Sequence, residues 1–214
     1  MPVFRERPAR LRETVGSQVY GDIVVGPLAD LTVVVVDVET TGWLHDQAEL
    51  TEIGAVRCSG GQQTGEFSSL IRPAGPIPAD ISSLTGISEH MVSGAPLAGA
   101  ALRAFLAFAG DCILVAHNAP FDLGFLTSAS AACGISWPRL PVLDTAVMAR
   151  LLLGPDDVPD CRLATLAAYF GAQSVPSHRA LADARATAEV LACLLRMAAG
   201  WRPSGNSLLD RVAS

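Results

Sequence analysis

The chain has 214 residues, half of them apolar, with 17% charged residues and a mean hydropathy of +0.37. A chain of that size buries roughly 70% of its unfolded surface, so one core can hold it together, and neither a disordered tail nor a disulfide-stapled mini-protein fits. A net charge of -6 and a pI near 5.1 argue against broad, salt-driven adhesion to nucleic acid, yet leave room for an acidic site whose local sign is reversed by bound metal ions.

No apolar run approaches the ~20 residues of a membrane helix, and the opening MPVFRERPARLRE has no apolar stretch of the signal-peptide kind. The expectation is a soluble, cytoplasmic protein with no membrane partner. Cys58, Cys112, Cys133, Cys161 and Cys193 are widely spaced and form no C-x-x-C pair, so they read as small buried thiols in a reducing compartment. Every basic residue is Arg, a bias we attribute to genome composition.

Residues 1–30 are Arg-rich and then punctuated by Gly21, Gly26 and Pro27, which reads as a basic leader. From Leu31 the pattern changes. LTVVVVD (31–37) predicts a buried strand, LTEIGAVRC (50–58) a half-buried one and GEFSSLIRP (65–73) a third, the last two joined through Ser59-Gly60-Gly61 as an antiparallel meander. After Pro73, Pro76 and Pro78 the chain becomes mainly helical, with a helix over 97–109 closed by Gly110. DCILVAH (111–117) predicts a fourth strand. Asn118 can then cap a helix from Ala119 to about Cys133, with Pro120 in the first turn and Gly134 as the stop. Asp144 can cap another helix ending near Leu153, before Gly154-Pro155. A short helix over 161–171 precedes a long one from Leu181 to Met197, with Leu181, Ala184, Ala188, Leu191 and Leu195 on one face. Strands followed by alternating strand and helix make an α/β layered fold. The tail over 200–214 reads as a tail or linker, which leaves open whether this stretch is one domain of a longer protein.

The chemistry concentrates in acids. Asp37 and Glu39 lie two apart on a strand, so period-two alternation projects both carboxylates to one face, Cα atoms roughly 6.5–7 Å apart. Two acids at the end of an otherwise Val-only strand repel each other and cost desolvation. A pair of hard divalent cations such as Mg²⁺ or Mn²⁺ would compensate them, since one carboxylate can bridge two ions about 3.5–4 Å apart; taken alone, the pair also fits a strand end turning to solvent with two unrelated acids. Asp122 falls in the first turn of a helix that follows a strand, where the helix dipole favours the ionised acid. His117 and Asn118 precede it at a strand-to-helix junction, a common place for ligand contacts in open α/β sheets. His178 and Asp183, five residues apart, would sit about 140° apart on one helix, so they converge only if His178 lies in the loop before that helix, which Pro176 and Ser177 allow.

Three segments then carry a resemblance. Asp37-Val-Glu39-Thr-Thr-Gly, His117-Asn118-Ala-Pro-Phe-Asp122 and His178-Arg-Ala-Leu-Ala-Asp183 resemble, in order, the three motifs of the DnaQ-like DEDDh 3′–5′ exonucleases, a family that includes the proofreading epsilon subunit of bacterial DNA polymerase III. Leu84-Thr-Gly-Ile87 and Asp144-Thr145 are similar to two further stretches of that family, and the likeness spans about Leu31 to Ala199. The resemblance implies an RNase H-like fold, a mixed five-stranded sheet of three antiparallel strands and then parallel ones, flanked by helices, in a domain over 31–199. It implies two-metal hydrolysis of the terminal phosphodiester at a 3′ end, yielding nucleoside 5′-monophosphates. Asp37, Glu39, Asp122 and Asp183 would hold two Mg²⁺ or Mn²⁺ ions, and His178 would be the general base, imidazole being suited to take a proton near neutral pH.

Substrate contacts are expected from the backbone around Thr40 and Thr41, from His117 and Asn118, and from Leu84, Phe121 and Phe125 stacking on or wedging between the last bases. Phe121 and Phe125 are one helical turn apart, so core packing competes for both. His45, His90, Trp43, Trp137 and Trp201 have no spacing that implies a role and read as structural. The expected substrate is a single-stranded or frayed DNA 3′ end, in proofreading or repair. RNA 3′-end trimming stays open, because discrimination at the 2′-OH rests on contacts no motif shows. So does a docking role beside a DNA polymerase or a fused or partner nuclease domain, such as a GIY-YIG endonuclease of UvrC type.

Overall fold

The computed structural model describes residues 32–200; the predicted leader over 1–30 and the tail over 201–214 lie outside them. Among the described residues, five strands form one sheet in the order β3-β2-β1-β4-β5. They are β1 (Thr32–Thr40), β2 (Leu50–Ser59), β3 (Gln62–Leu70), β4 (Ile113–Ala116) and β5 (Val142–Asp144). Strand β2 pairs antiparallel with β1 and with β3, while β4 runs parallel to β1 and β5 parallel to β4. The mixed five-stranded sheet expected from the resemblance, three antiparallel strands and then parallel ones, is present.

The helices are α1 (Ala79–Thr85), α2 (Glu89–Val92), α3 (Ala98–Ala109), α4 (Ala119–Ala132), α5 (Thr145–Leu152), α6 (Leu163–Phe170) and α7 (Ala180–Gly200). Helix α7 therefore runs on to the residue at which the sequence reading starts the tail. Helices α1 and α2 and strand β5 were not located from the sequence: each is seven residues or shorter, too short for periodicity to register.

Alternation along β1 decides what lies on each side of the sheet. Val34, Val36 and Val38 pack with Leu102, Phe105, Phe125 and Leu126 from α3 and α4. Val33 and Val35 pack on the other side with Ala184, Leu191 and Leu195 from α7. Asp37 and Glu39 continue this second row, so they face the side on which α7 lies.

The prediction of a half-buried β2 is corrected: Leu50 to Val56 are buried at every position. The strand lies inside the sheet between β3 and β1 and is covered on both faces, so it carries near-continuous burial instead of alternation. The turn from β2 to β3 has Gly60 and Gly61 at φ of 60° and 75°, the paired left-handed conformation of a two-residue hairpin turn. All five cysteines are free, four of them partly buried and Cys133 exposed.

Candidate active site

Two edges of the fold meet at the C-terminal end of β1. Strand β4 delivers the chain to α4 beside that end, and Asp122, in the first turn of α4, accepts a hydrogen bond from the Val38 amide (3.1 Å). That bond fixes a buried carboxylate, 2% exposed, between Asp37 and Glu39 in sequence position along the strand.

The head of α4 is not capped as the sequence suggests. Asn118 precedes the helix with φ 68°, but its side chain makes no capping bond. Asp144 supplies the acceptors instead: its two oxygens take the Asn118 and Ala119 amides (3.1 and 3.0 Å), while Oδ1 also caps its own helix α5 through Ala146 (2.8 Å). One buried carboxylate thus satisfies two helix N-termini.

From the other side, α7 brings Asp183. The helix crosses directly over Gly54, where a Cβ would collide with the backbone of Ala180 and Leu181. Because Gly54 is the register partner of Asp37, this close approach sets the first turn of α7 over the acids. His178 lies before the helix, as convergence requires, and is exposed, with φ 55°. Asp183 turns back to accept a hydrogen bond from the Ser177 amide (2.7 Å). Glu39, His178 and Asp183 each offer one ligand atom within 4.8 Å of the other two.

The electrostatics follow from packing four acids together. Burial, followed by the charges of Asp122, Asp183 and Glu39, holds the Asp37 carboxyl well above the usual carboxylate range. Burial does the same to Asp122, against the opposing hydrogen bond from Val38. Burial and then Asp183 push Glu39 up to about 8. Asp183 is raised by burial, with the Ser177 amide and the His178 side chain pulling the other way. A site that resists ionisation in this way is one that divalent cations relieve, and an all-carboxylate oxygen set fits Mg²⁺ or Mn²⁺.

The expected nucleotide contacts divide. Leu84 is 39% exposed at the end of α1 and Asn118 is exposed at the head of α4. Phe121 is half-buried, its ring 5.1 Å from that of Phe125. Phe125 is 2% exposed, packed edge-on to His45 and against Phe121, which favours the core-packing alternative for it. His117 is also committed, with Nδ1 2.9 Å from the Thr145 hydroxyl and Nε2 2.9 Å from the Cys161 carbonyl, and burial pushes its pKa down. The Thr41 amide donates to the Glu49 carbonyl (2.8 Å) and its hydroxyl accepts from the Glu49 amide, while the Thr40 hydroxyl donates to the Gly42 carbonyl. These bonds close the loop after β1, so both threonines build the loop. Trp43, read as structural, is 67% exposed on it.

Three residues near the acids escaped the sequence reading: Glu52, Gly54 and Arg179. Glu52 and Gly54 share a face of β2 and stand directly across from Glu39 and Asp37. A charged residue and a glycine two apart in a buried strand are the same kind of signal that singled out Asp37 and Glu39.

A mixed sheet with α7 on one face and acids gathered at the end of its central strand is an arrangement suited to divalent-cation chemistry. The family model RNase_T, described as an exonuclease, matches residues 34–191, and the chain belongs to that family. It is 49% identical over 174 residues to a Mycobacterium tuberculosis protein (strain CDC 1551 / Oshkosh) that carries the name of a bifunctional exonuclease/endonuclease, covering 78% of this chain and 27% of that protein. It is 41% identical over 162 residues to the PolC-type DNA polymerase III of Caldanaerobacter subterraneus subsp. tengcongensis, covering 76% of this chain and 11% of the polymerase. The chain thus spans about a quarter of the first relative and a tenth of the second. Among solved structures, exonuclease X in complex with 5′ overhanging duplex DNA superposes with a TM-score of 0.62 at 25% identity, over 79% of this chain and 94% of that one. The Escherichia coli exonuclease I complex with single-stranded DNA superposes at a TM-score of 0.68 and 18% identity, over 78% of this chain and 42% of that one, a likeness of fold. Among the described residues, no helix is long and apolar enough to cross a membrane.

Proposed function

We propose that this domain is a metal-dependent 3′–5′ exonuclease that removes nucleoside 5′-monophosphates from single-stranded or frayed DNA 3′ ends. The observation that carries this reading is the arrival of Asp37, Glu39, Asp122 and Asp183 from three separate elements at one strand end, with His178 beside Glu39 and Asp183. When bound by the four carboxylates, two Mg²⁺ or Mn²⁺ ions would lower the pKa of the attacking water and offset charge on the phosphate.

The chain's own residues do the rest. His178, exposed on its loop, takes the proton from the attacking water at a ring nitrogen. Leu84 wedges against the terminal base, and the Asn118 side chain bonds the terminal nucleotide. Phe121 contributes the edge of its ring. The desolvated carboxylates are held by Val38 and Ser177 amides before substrate arrives, so little reorganisation is left for the reaction. DNA is favoured as substrate by the duplex DNA in the exonuclease X structure and by the polymerase relatives. Those longer relatives also support a place beside a polymerase or a second nuclease domain.

The test is digestion of 3′-labelled single-stranded DNA, of duplex with a mismatched 3′ end and of RNA, each with Mg²⁺ and with EDTA. Mg²⁺-dependent release of 5′-monophosphates from the 3′ end of DNA, faster than from RNA, is expected. Faster cleavage of RNA would replace the DNA reading with 3′-end trimming, and EDTA-resistant cleavage would contradict the metal dependence.

A further inference from the structure

We propose that Glu52 is a positioning residue for His178, acting through Arg179; this rests on the reading of His178 as general base. Glu52 is buried, 2% exposed, near the start of β2. Its carboxylate accepts two parallel bonds from the Arg179 guanidinium, from Nε at 3.0 Å and from an Nη at 2.9 Å, and a third from the Ala180 amide at 3.0 Å. A forked Arg–carboxylate pair fixes orientation as well as distance.

The residue next to that clamp is His178, held at φ 55°, a left-handed conformation that is uncommon outside glycine although His, like Asn and Asp, adopts it more often than most. A loop with free neighbours could leave it. Here the flanking residues forbid that: on one side the Ser177 amide donates to Asp183, and on the other Arg179 and Ala180 are tied to Glu52. The imidazole is thus presented from a loop pinned at both ends, one pin being an acid that the chemistry itself does not use. Glu52 also faces Glu39 directly across the β1–β2 pair, so the clamp references the loop to the same strand position as the carboxylates. Gly54, two residues on, gives α7 the clearance to come down onto this seat.

The experiment is a double-mutant cycle of Glu52→Gln and His178→Ala in the full chain with Mg²⁺ and a single-stranded DNA substrate. Glu52→Gln keeps the shape and an acceptor for Ala180 but weakens the Arg179 fork. It should lower kcat about 10- to 100-fold, the scale of an ångström-size misplacement, with KM and the half-saturating Mg²⁺ concentration within about 2-fold of the parent. In the His178→Ala background the same change should alter kcat less than about 2-fold, because the group it positions is gone. In the metal-free protein, amide hydrogen exchange over residues 177–181 should rise at least about 10-fold in Glu52→Gln while β1 and β2 amides hold. If Glu52→Gln does not fold, Arg179→Lys, which lacks the fork, enters the same cycle. Unchanged kcat, unchanged loop exchange, or a loss that persists in full alongside His178→Ala would overturn the proposal. Parental activity in His178→Ala alone would instead remove the general-base reading on which it stands.

Discussion

Asp37 and Gly54 face each other across the β1–β2 pair, and the missing side chain at Gly54 is what lets α7 reach Asp37. The atoms in the way of a Cβ are backbone atoms of Ala180 and Leu181, which cannot rotate aside. Gly54→Ala should therefore cost about 3 kcal/mol, the upper end of overpacking effects, and displace Asp183 enough to reduce Mg²⁺ affinity in the molecules that still fold. Urea unfolding and Mg²⁺ titration of the variant measure both.

The metal-free protein should lose stability as pH rises. Glu39 titrates near 8 in the folded chain against 4.5 ordinarily, so between those values the folded state keeps a proton that the unfolded state has released. The favourable contribution is complete below about pH 4.5 and gone above about 8, and Asp37, Asp122 and Asp183 shift in the same direction. Each such proton gives a slope of up to about 1.4 kcal/mol per pH unit. Melting temperatures in EDTA should fall across that window, and excess Mg²⁺ should flatten the curve by binding the ionised form.

Asp144 serves two helices from one buried carboxyl group. Asp144→Ala strips the acceptor from the Asn118, Ala119 and Ala146 amides at once, for a cost of about 3 kcal/mol, near the sum of two strong caps. Because α4 carries Asp122, kcat should fall as well. Asp144→Asn keeps an acceptor oxygen and should recover part of both, as measured by urea unfolding and steady-state rates.

Phe125 and Leu84 should separate packing from binding. Phe125→Ala empties a buried site and should destabilise by about 3–5 kcal/mol. Leu84→Ala, at a 39% exposed position, should leave the melting temperature within about 2 °C, less than a 1 kcal/mol change would move it, and raise KM for DNA. Thermal melts and steady-state kinetics on the same preparations distinguish them.

Much of this site is legible in the chain because strand alternation and helix starts are local. Asp37 and Glu39 announce themselves as charge in a Val strand, and Pro176-Ser177 correctly allow His178 to sit before its helix. What escapes is long-range: Asp144 capping α4 from 25 residues away, or Glu52 clamping a loop 127 residues distant, leaves no periodic trace. His117 and Phe125 show the converse, since a polar or aromatic residue beside a motif gives no local sign of the tertiary partners it already has.

The central claim is that four acids from β1, α4 and α7 form one cation site. Crystals soaked in MnCl₂ and measured at the manganese edge test it directly. Anomalous peaks between the carboxylates of Asp37, Glu39, Asp122 and Asp183, lost in Asp37→Ala, are the predicted result; carboxylates turned apart with no peak among them would contradict the account.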